Sequence, residues 1–142
     1  MKKIKFEILC KDEDFKKSFD EYPCVSVVQY GDKLLRKSVI DRNKIITKSK
    51  KIEIKFDYPL TNSVTLEFRN KNGFRVIDFF KAIHDGYRKI YAMEKDPGLI
   101  PGMFNRARSE GPVGIWGHVI EDLYIEQVYE TSPNKFKLSI GS

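Results

Sequence analysis

The chain has 142 residues, a net charge of +6 and two cysteines. That length fits one domain burying roughly two thirds of its unfolded surface, and no apolar run approaches the ~20 residues a bilayer-crossing helix needs. Cys10 and Cys24 cannot form a disulfide framework or a cysteine-rich zinc site, and MKKIKFEILC interleaves charge with apolar residues as a strand does, not a signal segment. The expectation is a soluble intracellular protein with no membrane partner, no metal and no cofactor.

Ile4, Phe6 and Ile8 alternate with Lys3, Lys5 and Glu7, the period of a half-buried strand. Phe15 and Phe19, four apart after a cluster of acids, predict a short helix over 12–20, ended by Pro23. Two β-rich runs, 24–30 and 33–40, flank Gly31-Asp32 and predict a hairpin. A turn over Asp41–Lys44 leads to Ile45-Ile46-Thr47, and 48–51 reads as a polar connection. Ile52, Ile54, Phe56 and Tyr58 then face Val64, Leu66 and Phe68 across 59–63. Tyr58 opposite Val64, Phe56 opposite Leu66 and Ile54 opposite Phe68 is the expected register, which sets Lys55 against Glu67 and Glu53 against Arg69.

Asn70–Gly73 turns the chain into a helix expected over 75–93. Val76, Phe79, Phe80, Ile83, Tyr87, Ile90 and Tyr91 share one face, and Lys81, Asp85, Arg88 and Lys89 share the other. Gly86 inside it costs about 1 kcal/mol relative to alanine, which predicts a close approach by another element. His84 lies at the edge of the apolar face and reads as a boundary residue making one hydrogen bond. A last hairpin is expected from 122–130 and 135–140, with Tyr129 opposite Phe136 and Ile125 opposite Ile140. The fold class is α+β, a mostly antiparallel β-sheet packing one long amphipathic helix, with a long Gly/Pro-rich ordered loop before the C-terminal hairpin, in a single domain spanning 1–142.

Two stretches are candidates for function. Between Lys33 and Lys55 nine basic residues stand against two acidic ones, so the net charge is essentially local. Lys33, Arg36, Lys37, Arg42, Lys44, Lys48, Lys50 and Lys51 form a candidate polyanion-binding set, with nucleic acid as the possible partner. A solvated lysine-rich edge is the plainer reading. The second stretch, 97–121, holds five of the nine glycines, three of the six prolines, the sole tryptophan and one of two histidines. Met103, Phe104, Asn105, Arg106, Arg108, Trp116 and His118 are its candidate partner-binding residues, because tryptophan and arginine are enriched at interface centres and rigidly held loops carry binding residues.

Catalytic readings are weaker. His118 could act on Ser109, or with Glu110, Glu121 or Asp122 as an acid–base pair, but no spacing fixes a chemistry and no catalytic residue is assigned. Gly111, Gly114 and Gly117 match neither the P-loop nor the dinucleotide fingerprint. The runs Phe56–Leu60, Asn72-Gly73-Phe74, Ile100–Met103, Asn105-Arg106 and Gly114–His118 resemble a family of short uncharacterised proteins of large DNA viruses, plants and algae. The resemblance covers 52–142 and implies no activity, though a viral source would favour a structural or host-interaction role. The leading expectation is a non-catalytic interaction or assembly domain that meets an unknown protein partner through 97–121. Polyanion binding through 33–55 and small-molecule or hydrolytic chemistry around His118 are the alternatives.

Overall fold

The computed structural model describes residues 3–11, 25–93, 98–99, 107–108, 113–115 and 118–142. A six-stranded sheet carries β1 (Lys3–Phe6), β2 (Val25–Ser26), β4 (Lys51–Phe56), β5 (Val64–Arg69), β9 (Tyr124–Ser132) and β10 (Lys135–Gly141). Its main path runs β1-β9-β10-β4-β5, with β2 also paired to β9. Every pair is antiparallel except β10 with β4, which is parallel. The α+β class read from the sequence is therefore the observed one, with a mixed sheet. The predicted helix over 12–20 lies outside the described residues.

The long helix α2 (Val76–Met93) buries Val76, Phe79, Phe80, Ile83, Tyr87 and Ile90, the face its periodicity marks. Fully burying one such side chain contributes about 1.5–3 kcal/mol. Edge-on aromatic pairs join it to three strands: Phe79 meets Phe6 at 5.1 Å and Phe136 at 4.8 Å, and Tyr87 meets Phe56 at 5.0 Å between ring centroids. Gly86 is where β4 comes closest. A Cβ there would lie 2.9 Å from Phe56 Cε1 and closer still to Cζ, so the predicted close approach is the Phe56 ring itself. His84 makes the hydrogen bond expected of a boundary residue, its Nδ1 lying 2.8 Å from the Val27 carbonyl, and its ring also lies 5.6 Å from that of Tyr30.

Three sequence expectations need correction. The first concerns the expected 24–40 hairpin, whose described part, 25–40, does not form one. After the short β2 the chain forms a 3-10 turn (Val27–Gly31) and then α1 (Lys33–Ser38). Ser26 and Gln29 make a capping box, and the Asp32 carboxylate accepts from Leu34 N–H at 2.9 Å and Leu35 N–H at 3.1 Å. These caps meet helix-end donors that a hairpin would leave to another strand. Six residues cannot hold a helix alone; burial of Leu35 and Ser38 anchors this one. Its exit is bound to the chain start, with Ile40 N–H donating to Leu9 O at 2.8 Å and Lys11 N–H to Ser38 O at 2.9 Å.

The second correction is the β4–β5 register. Phe56 faces Val64, Ile54 faces Leu66 and Ile52 faces Phe68, two residues from the expected pairing. A two-residue offset keeps every apolar side chain on its face, which is why alternation could not exclude it. Tyr58 leaves the strand instead: its carbonyl accepts from Tyr87 O–H at 2.7 Å, and Leu60 bridges to Ile115. Glu53 consequently faces Glu67. The charges resolve sideways, Glu67 pairing with Lys51 at 3.4 Å and with Arg69 at 2.9 Å, and Glu53 with Lys135 at 4.0 Å.

The third is smaller. In the closing hairpin Ile140 faces Ile125 as expected, but Phe136 faces Glu130 because the register shifts between Ser139 and Ile140. The irregularity lets Ile125 and Val128, three apart, both be buried.

Two further pairs lie off the main sheet: β3 (Ile45–Thr47) with β6 (Phe74–Arg75), and β7 (Gly98–Leu99) with β8 (Ala107–Arg108). The second puts a two-stranded ribbon inside the stretch read from sequence as an irregular loop.

Candidate polyanion-binding site

The turn over Asp41–Lys44 builds the site by closing the start of α2. The first N–H groups of a helix have no partner within it. Here Val76 N–H donates to Lys44 O and Ile77 N–H to Arg42 O, each at 3.0 Å. Asp41 takes a positive φ of 53°, and Lys44 N–H closes the turn on its carbonyl at 2.9 Å. Arg75 adds a side-chain tether. It pairs with Asp78 at 3.0 Å and donates from Nη1 to Asn43 Oδ1 at 3.0 Å. Hydrogen bonding to that carboxylate raises the Arg75 pKa further above its usual value.

α1 forms the opposite wall. Arg42 Nη1 donates to the Lys37 carbonyl at 3.1 Å, meeting an exposed helix-end acceptor and holding turn and helix together. Between them lies a shallow hollow of about 290 Å³ lined by Tyr30, Lys33, Arg36, Lys37, Arg42, Asn43 and Ile77. Among the described residues no carboxylate lines it. The Arg36 guanidinium lies over the Tyr30 ring at 5.0 Å, while Tyr30 meets Phe80 edge-on at 5.2 Å and so is fixed to α2. Arg36 Nε is enclosed and, among the described residues, has no hydrogen-bond partner. Among the described residues Lys33, Arg36 and Lys37 make no ion pair within 4.0 Å.

Of the expected polyanion-binding set, the fold thus brings together Lys33, Arg36, Lys37 and Arg42. Lys44, Lys48 and Lys50 are exposed outside the hollow, and Lys51 is engaged by Glu67 at 3.4 Å. Tyr30, Asn43 and Ile77 were not foreseen. The signal for Tyr30 was present: Ser26-x-x-Gln29 and Asp32 mark two helix starts, and a helical 33–38 carries Lys33, Arg36 and Lys37 along one side, with Tyr30 two residues before the Asp32 cap. Nothing local in the sequence points to Asn43 or Ile77, which arrive through the docking of the turn on α2.

A second hollow, of about 250 Å³ beside β4 and β10, also contains lysines, Lys55, Lys135 and Lys137, together with Glu53. Two of these three lysines are paired within the fold: Lys137 with Asp57 at 3.2 Å and Lys135 with Glu53 at 4.0 Å.

The expected partner-binding set fares differently. Met103, Phe104, Asn105, Arg106 and Trp116 lie outside the described residues, and Arg108 is placed only by its backbone pairing with Gly98. Val113 and Ile115 are buried core residues. Gly114 between them has φ 70° and its carbonyl accepts from Thr61 N–H at 2.9 Å, so this segment is stitched to the β4–β5 connection. His118 is half-buried, its ring 5.6 Å from that of Tyr58 and its carbonyl accepting from Tyr91 O–H at 2.9 Å. Burial pushes the phenols of both Tyr91 and Tyr87 above the usual tyrosine range.

His118 Nδ1 stands 4.0 Å from the Asp122 carboxylate, beyond hydrogen-bonding distance. Neither hollow is lined by His118. Ser109 and Glu110 lie outside the described residues. Among the described residues no three His, Cys, Asp or Glu side chains gather as a metal ion would need, and no helix is long and apolar enough to cross a membrane. Comparison with family models, with curated proteins and with solved structures finds no match to this chain.

Proposed function

We propose that this protein is a non-catalytic binding domain for phosphate-rich polyanions, nucleic acid first among them, and that the hollow between α1 and the 41–44 turn is its contact. The observation that carries the reading is the convergence of Lys33, Arg36, Lys37 and Arg42 on one concavity that no carboxylate among the described residues lines. Exposed lysines on an ordinary surface are interspersed with acids, as around β4 and β10. Phosphate contacts release condensed counterions, so affinity should fall steeply with salt. Lys44, Lys48 and Lys50 extend the positive surface along the chain toward β4.

The test is binding of a short labelled nucleic-acid strand followed by fluorescence anisotropy at low ionic strength. The wild type should bind and release the strand as salt rises. The Lys33→Glu/Lys37→Glu variant should bind at least about tenfold more weakly, since each reversal replaces attraction with repulsion at a phosphate. Equal binding by the two proteins, or none by either, would reject the reading. Contact with a protein through 97–121 is a second proposal, favoured by the β7–β8 pair, which forms its own two-stranded sheet within this stretch. It predicts that Trp116→Ala with Arg106→Ala abolishes partner capture by a folded protein.

A further inference from the structure

The chemistry lining the hollow beside α1 narrows the ligand, given the polyanion reading above. Its polar side chains are nearly all donors. Lys33, Lys37, Arg36 and Arg42 can only donate. Asn43 joins them, because its carboxamide oxygen is taken by Arg75 Nη1 at 3.0 Å, which leaves its amide N–H pair for another acceptor. A concavity lined mainly by donors calls for a ligand made of acceptors.

Charge and shape restrict it further. Among the described residues four cations and no carboxylate line one small space, an excess better matched by the nearly two charges of a phosphomonoester at neutral pH than by the single charge of an internal diester. The Arg36 guanidinium carbon lies over the Tyr30 ring, 5.0 Å from its centroid, and among the described residues the Arg36 Nε has no hydrogen-bond partner. The planar fork of a guanidinium is suited to paired contacts with phosphate oxygens. One face of Tyr30 is occupied by Arg36 and its ring meets Phe80 edge-on, so the same aromatic is poorly placed to stack a base.

We infer that the hollow is a phosphomonoester site, with Arg36 and Asn43 contacting the phosphate oxygens and Lys33, Lys37 and Arg42 supplying charge. The group can be the phosphorylated end of a nucleic-acid strand or a small free phosphomonoester, and the experiment separates these sources. Anisotropy would compare one single strand carrying a 5′-phosphate with the same strand ending in a hydroxyl, both labelled at the 3′ end. Titration calorimetry with glycerol phosphate supplies the second arm.

For a strand end, the wild type should favour the phosphorylated strand by about tenfold at equal salt. Arg36→Lys keeps the charge but loses the fork, and should bring that ratio to about one. Lys50→Gln, outside the hollow, should weaken both strands alike and keep the ratio. For a free phosphomonoester, glycerol phosphate should bind the wild type and lose its affinity in Arg36→Lys, with no preference between strands. Circular dichroism confirms that each variant is folded.

Equal affinity for the two strands together with no binding of glycerol phosphate overturns the inference, and so does a preference that survives Arg36→Lys. Salt-sensitive capture of both strands in that case would still leave the polyanion reading standing. Glycerol phosphate held through Arg36 without any strand binding would sink the polyanion reading and keep the site.

Discussion

The segments 26–44 and 113–123, the second described at 113–115 and 118–123, place their side chains in opposite directions. In the first, Val27, Leu35 and Val39 are buried while Lys33, Arg36, Lys37 and Arg42 are left around one hollow. In the second, Val113, Ile115 and Leu123 enter the core, and His118 is held half-buried against Tyr58. The more conspicuous composition belongs to the segment whose described residues serve packing. A cluster of unusual residues in sequence therefore says less about a contact surface than where the backbone hydrogen bonds of that segment go.

The comparison is broken most severely at the packed segment. Ile115→Ala should lower unfolding stability by about 2–5 kcal/mol in denaturant titration, because a fully buried aliphatic side chain leaves a cavity. Its effect on strand binding, measured under conditions where the variant is folded, should be small. Gly86→Ala should cost about 1–3 kcal/mol by forcing the Phe56 ring aside. A gain in stability there would mean that the ring can move without loss.

At the hollow the pattern should reverse. Arg42→Gln should weaken strand binding by about tenfold, with a somewhat smaller cost in stability from the lost bond to the Lys37 carbonyl, about 0.5–1.5 kcal/mol. The smallest expected effect near neutrality is that of pH. Burial holds the Tyr87 and Tyr91 phenols protonated beyond their usual range, whereas unfolded tyrosines ionise near pH ~10. Above that pH the unfolded chain binds fewer protons than the folded one, so their contribution is fully present below it and is lost as pH rises. Stability followed by chemical denaturation should decline above about pH 10, and less so in Tyr87→Phe and Tyr91→Phe.

Much of the fold was legible because its signals are local. The α2 face from Val76 to Ile90, the alternation of Ile52, Ile54 and Phe56, and the close approach at Gly86 all follow from periodicity or from one residue's missing Cβ. The β4–β5 register was not legible, since a two-residue slip preserves the buried face and what ended the strand was Tyr58 and Leu60 meeting Tyr87 and Ile115, distant in sequence. The 24–40 segment was misread although its caps were visible. Val27, Val28 and Tyr30 favour strands, and Ser26, Gln29 and Asp32 overrode that preference by satisfying helix-end donors.

The charge of the candidate site was visible in composition, but its shape was not. Arg36 over Tyr30 needed α1 to be a helix, and Asn43 beside it needed the turn to close the start of α2.

The central claim is that the cations around α1 meet phosphates. It is tested most directly by the dependence of strand affinity on salt concentration in the wild type and in Lys37→Gln, plotted logarithmically. The account predicts a steep negative slope for the wild type and one shallower by about 0.7–0.9 for the variant, one phosphate contact fewer. Identical slopes, or an affinity indifferent to salt, would contradict it.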